Sequence, residues 1–388
     1  MDLIAFSKAL EIGLNLPQIP LEVQEVRLQE AHGRILAVDL HAKDPLPKAT
    51  NSAMDGFGLR LEDLGQTLPI AKTLYAGSPL DTLPPKACAK IMTGALVPDE
   101  VDVIVPWEKM QSYNETHATA PLGFKKGANI RYEGENIKVG DLLLSKGTRL
   151  KTGHMALLAS QGLATLSVFK KLKVGVFSSG DEVVPLGSVA KPHQIYDTNG
   201  VVLVAMLQNL GFEATHLGHL PDNLQEQSAR LKEALAYDVL ISSAGVSVGD
   251  KDHFKEALAH LGAKIHYHGV HVKPGKPILC ASVGTTRIFG MPGNPLSCVL
   301  TFLALVRPVL CKQAGSHTQE PPIKARLKSP LNLKGQRTYL ILGQLENGVF
   351  TPYKDNAYGA GAIDALSGAN AMACLQGGEQ EVLVWLLP

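Results

Sequence analysis

Three polar, glycine-rich segments in the second half of the chain carry residue types that could bind an anion together with a divalent metal. They are residues 242–252, 273–277 and 291–295. Each follows a short apolar run with the length and β-branched content of a buried strand, and loops at strand ends are where open α/β sheets bind ligands. Backbone N–H groups, two lysines and acidic side chains in such loops suit an anionic substrate that also carries a divalent metal.

A further segment, 178–182, places two carboxylates after a strand-like run at 172–177. At the end of a strand, Asp181 and Glu182 could hold Mg²⁺ against phosphate or oxyanion oxygens. A turn with a solvated acidic pair would explain the same residues. The motif by itself leaves both interpretations open.

The segment 242–252 follows a strand and opens a helix, so its N–H groups, including those near Ser247 and Gly249, can face an anion. It matches neither of the glycine patterns typical of nucleotide-binding loops, so it does not by itself predict a nucleotide. Asp252 suits an N-cap as well as a metal ligand.

Lys273 and Lys276 lie on a turn that is stiffened by two prolines, which lowers the entropy lost in fixing their ammonium groups. Residues 291–295 join a strand to a long apolar helix with Pro295 early in that helix, which leaves amide donors at the helix start. A hairpin turn with solvated lysines and an ordinary helix start are the plain structural alternatives.

Turns in the first part of the chain hold an acid, a hydroxyl and a cation, namely Asp55, Thr93 and Arg131. An arginine can form two parallel hydrogen bonds to a phosphate, although an exposed salt-bridged turn is the commoner origin of such a string. Taken singly, the turns with Asp55 and Thr93 are only loops.

The elements that would position these loops alternate between strand and helix from residue 172 to about 311. Strands are predicted at 172–177, 213–217, 238–241, 264–270, 278–281 and 287–289, and helices at 198–210, 222–236, 252–261 and 295–310. Thr198 or Asn199 is expected to N-cap the first helix, and Asp222 the second. Gly211 and Gly262 fall where glycines end helices. The pattern predicts a doubly wound α/β domain.

The regions on either side of this domain are richer in strand-like pieces. Before residue 170 such pieces lie at 90–92, 101–105 and 141–144, with one helix near 153–160. The tail after the linker at 315–322 has them at 323–327, 339–342, 371–374 and 381–386. We expect one or two β-rich units before the α/β domain and a small β domain after it.

Composition narrows the class of protein. The 388 residues carry 37 Lys and Arg against 36 Asp and Glu, with no basic block, which argues against a nucleic-acid partner. Five cysteines without a C-x-x-C pair indicate thiols in a reducing compartment, so the expected location is cytoplasmic. The N-terminal segment lacks the basic region of a signal peptide, and the apolar run 298–306 is too short to cross a bilayer, so no membrane partner is expected.

Together and in this order, the segments resemble the molybdopterin molybdenumtransferase family, which includes MoeA and the gephyrin E domain. The resemblance covers nearly the whole chain, and the joint set is specific although no single member is. It implies an enzyme that takes adenylylated molybdopterin and molybdate with Mg²⁺, cleaves the pyrophosphate bond, releases AMP and yields molybdenum cofactor. The molybdopterin adenylyltransferase is a further expected partner.

The resemblance also implies an elongated, multidomain homodimer in which each active site is assembled from both subunits. The central α/β domain would be shared with the adenylyltransferases, as a MogA-like fold, and additional small domains would be β-rich. The expected boundaries are 1–16 with 169–312 for the α/β molybdopterin-binding domain, 17–43 with 138–168 for a connecting domain, 44–137 for a β-rich lid and 313–388 for a C-terminal β domain.

Functional positions are carried over from the family motif by motif. The expected catalytic residues are Asp55, Thr93, Glu182, Asp222 and Asp252. The expected substrate-binding residues are Arg131, Ser178, Gly180, Ser247, Gly249, Lys273, Lys276, Pro292, Gly293, Asn294 and Pro295, with Ser367 a weaker match. The expected metal ligands are Asp181, Glu182 and Asp252. The lysines would hold phosphate or molybdate oxygens, and the residues of the first third would come from the partner subunit.

Two positions depart from the family pattern. Asn136 stands where the family has aspartate in Gly-Glu-Asp, which removes a carboxylate and speaks against a metal or acid–base role there. Ser179 replaces a threonine in the first loop, which is a conservative change. No covalent nucleophile is expected, because no cysteine lies in these loops and pyrophosphate cleavage depends on charge neutralisation and positioning.

Two other functions fit part of the pattern. Molybdopterin adenylyltransferase activity would need only the α/β domain, whereas further family motifs lie before residue 150 and after residue 313. A non-catalytic scaffold of the same fold, binding a membrane-protein partner as the gephyrin E domain also does, is the other alternative. We do not expect the scaffold function, because the sequence has no long linker and no appended interaction region. AMP release from the adenylylated pterin separates all three.

Overall fold

The chain divides into two compact units. The computed structural model describes residues 3–245, 253–317, 321–333, 335–376 and 380–387. The larger unit comprises Met1–Val38, Lys146–Ala156 and Ala164–Pro388, and the smaller unit comprises Asp39–Ser145 and Leu157–Leu163. The finer division into four domains stays a prediction.

A six-stranded mixed sheet forms the centre of the larger unit. Its strands in chain order are β1 (Lys173–Ser179), β2 (Glu213–Leu220), β3 (Val239–Ser243), β4 (Lys264–His268), β5 (Leu279–Val283) and β6 (Thr286–Met291). They lie in the order β2-β1-β3-β6-β5-β4, and β2, β1, β3 and β6 are mutually parallel. The predicted strands are confirmed.

One strand of this sheet differs from the doubly wound parallel pattern. Strand β5 is antiparallel to both neighbours because only two residues connect it to β6, and so short a connection makes a hairpin. Strand β4 is antiparallel to β5 and therefore runs in the same direction as β6. The carboxyl ends of β1, β2, β3, β4 and β6 consequently share one edge of the sheet.

Four helices flank the central sheet where the sequence predicts them. They are α1 (Thr198–Asn209), α2 (Leu224–Ala234), α3 (Phe254–His260) and α4 (Pro295–Gln313), of which α4 contains a π-helical turn at Phe302–Val306. Gly211 and Gly262 have positive φ angles of 84° and 69° directly after helix ends, as predicted.

The observed N-caps of α1 and α2 lie one or two residues away from the predicted ones. The carboxylate of Asp197, not Thr198 or Asn199, accepts the N–H of Gly200 at 2.8 Å. The side chain of Asn223, not Asp222, accepts the N–H of Glu226 at 3.0 Å. Asp ranks above Thr but level with Asn as an N-cap, so propensity favoured Asp197 over Thr198 but did not separate Asp197 from Asn199 or Asn223 from Asp222.

The two faces of the sheet bury different side chains because successive residues of a strand point to opposite sides. On one face, Val176 of β1 belongs to the buried cluster that contains Leu203 of α1. On the other face, Phe177 belongs to the cluster that contains Leu231 of α2 and Phe254 of α3. Burial of each such side chain is worth roughly 1.5–3 kcal/mol, and it holds the helices against the sheet that carries the loops.

Helix α4 is the most apolar element of the larger unit. In the described part of the chain it is the one helix long and apolar enough to cross a membrane by length and composition alone. Most of that stretch, 67%, is buried inside the protein. A core helix of an α/β domain meets the same test, and the helix is longer than the apolar run 298–306 seen in the sequence.

The remaining elements of the larger unit include a second six-stranded sheet. Its strands are Val272–Lys273, Ile323–Leu327, Thr338–Glu346, Val349–Pro352, Ala371–Leu375 and Glu381–Leu386. Other elements are the helix Phe6–Leu14, the strand pair Val23–Arg27 with Thr165–Phe169, the parallel pair Val183–Val184 with Ile195–Tyr196 and the short helix Asp364–Ser367. The predicted strands of the C-terminal region are confirmed.

The smaller unit is β-rich, as predicted. Its six-stranded sheet contains Gly56–Leu59, Thr67–Leu74, Cys88–Ile91, Val103–Pro106, Ser112–Tyr113 and His117–Thr119. Two short antiparallel pairs accompany it, Asn51–Ser52 with Ile130–Arg131 and Leu40–His41 with Leu142–Leu144. The helix Thr152–Ser160, whose residues are divided between the two units, confirms the helix predicted near 153–160.

Candidate active site

Strand register brings three of the predicted loops, together with the loop that holds Asp222, to one edge of the central sheet. Ser178 at the end of β1 pairs with Ser243 at the end of β3, and Ser243 pairs with Met291 at the end of β6. On the other side of β1, Ser179 pairs with Leu220 at the end of β2. The loops that follow these strands therefore begin side by side, which is the ligand-binding edge of an open α/β sheet.

The loop after β1 turns back at Gly180, whose φ angle is 113°. A Cβ atom at this glycine would lie 2.7 Å from the carboxylate oxygens of Glu182, so a side chain here would displace that carboxylate as well as strain the left-handed backbone. The loop after β2 holds Asp222. Burial raises the pKa of Asp222, and the negative charges of Asp181 and Glu182 raise it further. Three predicted carboxylates thus lie near one another at this edge.

The metal site itself stays a prediction. Three carboxylates supply the hard oxygen ligands that Mg²⁺ prefers. Within residues 3–245 and 253–317 and the described parts of the tail, however, no group of three or more His, Cys, Asp or Glu side chains is arranged closely enough to hold an ion. Asp252, the third predicted ligand, lies outside the described residues, as do Ser247 and Gly249.

The lysine loop follows a short strand that belongs to the second sheet. Val272 and Lys273 pair in parallel with Thr338 and Tyr339, and the Lys273 ammonium lies 5.7 Å from the centre of the Tyr339 ring. Lys273 and Lys276 are both exposed, and no described carboxylate forms an ion pair with either. Two cations without an acidic partner on one rigid turn can neutralise an oxyanion.

Gly275 allows this loop to approach helix α4. Its φ angle is 104°, and a Cβ atom there would lie 2.1 Å from the Cγ2 atom of Thr301. Backbone hydrogen bonding of Val270 N–H to Lys276 O at 2.9 Å closes the loop. The loop is therefore fixed by packing against the core helix, and its lysines are held in a defined place.

The loop after β6 carries Pro292, Gly293, Asn294 and Pro295. Pro292 is buried, Gly293 and Asn294 are exposed, and Pro295 is the first residue of α4. The sequence predicted free amide donors at this helix start. Pro295 has no N–H, and the N–H of Leu296 donates to Ala360 O at 3.2 Å, so one predicted donor is already used.

Two features of this loop have no counterpart in the sequence analysis. Asn199 of α1 donates its side-chain N–H to Gly293 O at 2.7 Å, which ties the loop to the start of another helix. Ala244, directly after β3, has a φ angle of 71°, and its methyl group would lie 3.2 Å from a Cβ atom at Gly293. A left-handed alanine is a strained conformation of a kind that concentrates at functional sites.

Ser367 lies in the short helix Asp364–Ser367 and is exposed. Its hydroxyl donates to Asp364 O at 3.0 Å. The segment that precedes this helix reaches α4 through Ala360, which accepts the hydrogen bond from Leu296. Ser367 therefore follows a segment that contacts the start of α4.

The smaller unit gathers its three predicted residues into one loop cluster. The turn that holds Asp55 lies between two segments, because Ser52 N–H donates to Ala95 O and Ala53 N–H donates to Asn129 O, both at 2.9 Å. Asn51 at the start of the turn pairs with Arg131. Asp55, Thr93 and Arg131 are all exposed. Asn136, where the resemblance expects an acid, is also exposed.

Asp55 and Thr93 form a closely bonded pair. The Oδ1 atom of Asp55 accepts both the backbone N–H and the hydroxyl of Thr93, each at 2.7 Å. The backbone hydrogen bond and then the hydroxyl hydrogen bond lower the pKa of Asp55. The carboxylate is therefore held ionised, with one oxygen committed to Thr93.

We expect Thr93→Val to raise the pKa of Asp55 toward its ordinary value, because the hydroxyl donor is lost while the backbone donor remains. Thr93→Ser keeps both donors and serves as the control. Carboxyl-carbon NMR titration of Asp55 in the three proteins measures the effect. An unchanged pKa in the valine variant would contradict the pairing.

Fold and site together define a multidomain α/β protein with neighbouring carboxylates at the ligand-binding edge of its central sheet and two exposed lysines on a loop packed against helix α4. Residues 4–162 match the family model described as MoeA N-terminal region (domain I and II), and residues 175–312 match the probable molybdopterin binding domain. The chain belongs to the molybdopterin molybdenumtransferase family.

Individual relatives support the assignment over most of their length. The molybdopterin molybdenumtransferase of Haemophilus influenzae is 37% identical over 334 residues, which cover 85% of this chain and 81% of the relative. The molybdopterin molybdenumtransferase of Nostoc is 34% identical over 392 residues, which cover 95% of this chain and 89% of the relative. A crystal structure of a Pyrococcus molybdopterin biosynthesis MoeA protein superimposes with a TM-score of 0.80 at 29% identity and covers 99% of both chains.

Proposed function

We propose that this protein is a molybdopterin molybdenumtransferase that inserts molybdate into adenylylated molybdopterin and releases AMP, in the last step of molybdenum cofactor biosynthesis. Curated relatives that match both units carry this activity in their names, which favours it over the adenylyltransferase and over a non-catalytic scaffold. The structural observation that supports it most directly is the shared sheet edge, where the loops after three parallel strands begin side by side and Asp222 lies close to Asp181 and Glu182.

The chemistry required is cleavage of a pyrophosphate bond with transfer of an oxyanion. Charge neutralisation and positioning lower the barrier of such a reaction more than a covalent nucleophile does. Lys273 and Lys276 would neutralise phosphate and molybdate oxygens, and Arg131 could bind a phosphate with two parallel hydrogen bonds. The loop fixed by Gly275 would keep the lysines in place.

We propose Mg²⁺ as the cofactor, because carboxylate oxygens are the ligands that it prefers. Asp181, Glu182 and Asp252 would hold it, and when bound it would offset negative charge on the phosphate oxygens. The rise in the pKa of Asp222 is caused by burial and by neighbouring acids, so a cation in this cluster would favour its ionised form.

Thiol chemistry has little support in the structure. Burial raises the pKa of Cys88 to about 11 and that of Cys280 to about 12, and it raises the pKa of Cys298 as well. A thiol of this kind stays protonated near neutral pH and is a poor nucleophile. The protein's five cysteines are all free thiols, which supports our further proposal that it works in the reducing cytoplasm.

The deciding experiment incubates the purified protein with adenylylated molybdopterin, molybdate and Mg²⁺ and measures AMP release. We expect AMP and molybdenum cofactor only when all three are present. Formation of adenylylated molybdopterin from ATP and molybdopterin would instead indicate the adenylyltransferase. Binding without either reaction would indicate the scaffold.

Glu182→Gln is expected to lower Mg²⁺-dependent AMP release by about 10- to 100-fold, because it removes a ligand charge while the sheet beneath still supports the loop. Glu213→Gln is the matched control and should stay at the wild-type rate, because Glu213 begins β2 and so lies at the opposite edge of the sheet from the candidate site. Thermal melts confirm that both variants fold. Wild-type release by Glu182→Gln would remove this loop from the site.

We further propose a homodimer in which the smaller unit of one subunit contributes Asp55, Thr93 and Arg131 to the sheet-edge loops of the other. An Asp55→Asn chain and a Glu182→Gln chain, each of low activity alone, should then regain activity when they are mixed in equal amounts. Half of the dimers would be mixed and one of their two sites intact, so roughly a quarter of wild-type activity is expected. No recovery after confirmed subunit exchange would contradict a shared site.

A further inference from the structure

A serine, an aspartate and a histidine meet where strand β1 ends beside helix α1 and strand β2. The hydroxyl of Ser178 donates to Oδ2 of Asp197 at 2.5 Å. The Nε2 atom of His216, on the edge strand β2, lies 3.0 Å from Ser178 Oγ and 3.0 Å from the same Asp197 oxygen. Ser178 is 2% exposed and Asp197 is 8% exposed, whereas the His216 side chain is 41% exposed.

The arrangement fixes where the protons lie. Burial raises the pKa of Asp197, but hydrogen bonds from His216, Ser178 and Gly200 outweigh it, so that the net pKa is lowered and the carboxylate is ionised. Since the single hydroxyl proton of Ser178 already points to Asp197, neither neighbour can donate to Nε2 of His216. Nε2 must therefore carry a proton and donate it to the serine and aspartate oxygens.

This geometry is unsuited to nucleophilic catalysis. A serine nucleophile needs a base that accepts its proton, with the acid on the opposite ring nitrogen. Here both Ser178 and Asp197 contact the same nitrogen of His216, and that nitrogen is a donor. The hydroxyl of Ser178 is buried and committed to the protein. The group is built to hold structure, not to attack a substrate.

The start of helix α1 packs directly on these three side chains. A Cβ atom at Gly200 would lie 2.5 Å from Asp197 Oδ2 and 2.7 Å from both His216 Nε2 and Ser178 Oγ. Asp197 also N-caps this helix by accepting the N–H of Gly200. The next link is Asn199, whose side chain holds Gly293 O in the loop after β6. The group thus joins the end of β1 to a second loop of the site.

We propose that His216 is a positioning residue for the transferase reaction: its Nε2 proton holds Asp197 and Ser178 together and so sets the 178–182 loop against the start of α1. The inference rests on the proposed function for its effect on rate, but the proton on Nε2 is a property of the folded protein. The two can be tested separately.

The first experiment is ¹⁵N NMR of the protein with labelled histidines, assigned by His216→Phe. We expect Nε2 of His216 to be protonated across the pH range in which the protein is folded. A neutral imidazole with its proton on Nδ1 alone would overturn the proposal, whether or not the protein releases AMP.

The second experiment compares AMP release by two variants of the same position. His216→Phe keeps an aromatic ring but has no donor, and kcat/KM is expected to fall about tenfold or more because the loop loses its alignment. His216→Gln places an N–H at a similar reach and should stay within about threefold of wild type. His260→Phe is the control, because His260 is exposed at the end of helix α3.

Coupling to the serine completes the test. If His216 acts through Ser178, then His216→Phe in a Ser178→Ala background should cost less than in the wild type. Equal losses in both backgrounds, or equal losses for the Phe and Gln variants in folded protein, would overturn the proposal. A wild-type protein that releases no AMP would instead refute the proposed function and leave the NMR result to judge the Nε2 proton.

Discussion

Lys273→Ala and Lys276→Ala are each expected to lower kcat/KM for AMP release by about 10- to 100-fold, since a lost charge-assisted hydrogen bond is worth roughly 1.5–3 kcal/mol. The structure gives these lysines no described carboxylate partner, so their charge is available for a bound oxyanion. Neither side chain is buried, and their removal should leave the melting temperature within about two degrees of the wild type.

Lys264→Ala is the matched control for both variants. Lys264 is an exposed lysine at the beginning of β4, at the opposite end of the strand from the lysine loop. It should keep the wild-type rate. Salt provides a second check, because a rate that depends on two exposed cations should fall as ionic strength rises. Wild-type rates in both loop variants would remove this loop from the active site.

The order of the elements and the identity of the loops could be predicted from the sequence because both are local. The strands of the central sheet show buried apolar runs, and Gly211 and Gly262 end helices where their positive φ angles require glycine. The sequence even contained the signal for the observed N-cap of α1, since aspartate outranks threonine there.

Non-local contacts set the limit of that prediction. The reversal of β5 depends on a two-residue connection that a periodicity argument does not weigh against the parallel pattern. His216 contacts Ser178 only because β2 lies beside β1, and the use of the Leu296 N–H by Ala360 depends on packing of the C-terminal segment. Residue types at these positions are ordinary, so their roles appear only when the strands are placed side by side.

Gly275→Ala is expected to lower the free energy of unfolding of the larger unit by about 3 kcal/mol. One part is steric, since overpacking of a filled core costs typically 1–3 kcal/mol, and here a Cβ atom would stand 2.1 Å from Cγ2 of buried Thr301. The other part is the left-handed backbone, which costs a non-glycine residue about 1–2 kcal/mol. Urea unfolding monitored by far-UV circular dichroism measures the sum of these two costs.

Two companion variants separate these parts. Gly262→Ala has a φ angle of 69° and nothing within 4 Å of the new Cβ atom, so it reports the backbone cost alone, about 1–2 kcal/mol. Thr301→Ser removes the obstructing methyl group and keeps the hydroxyl that donates to Ser297 O at 2.6 Å. In the Gly275→Ala, Thr301→Ser double variant, the loss should therefore be smaller than the sum of the single losses by about 1–3 kcal/mol.

Activity should follow the same pattern because the loop that Gly275 allows to approach α4 also carries both lysines. Gly275→Ala is expected to displace them and lower AMP release, and Thr301→Ser should restore part of the rate along with the stability. Additive losses in stability would show that Thr301 does not obstruct the alanine. If stability recovered while the rate did not, the approach of the loop to α4 would support the fold without positioning the lysines, and the assignment of Lys273 and Lys276 to the substrate would lose its structural basis.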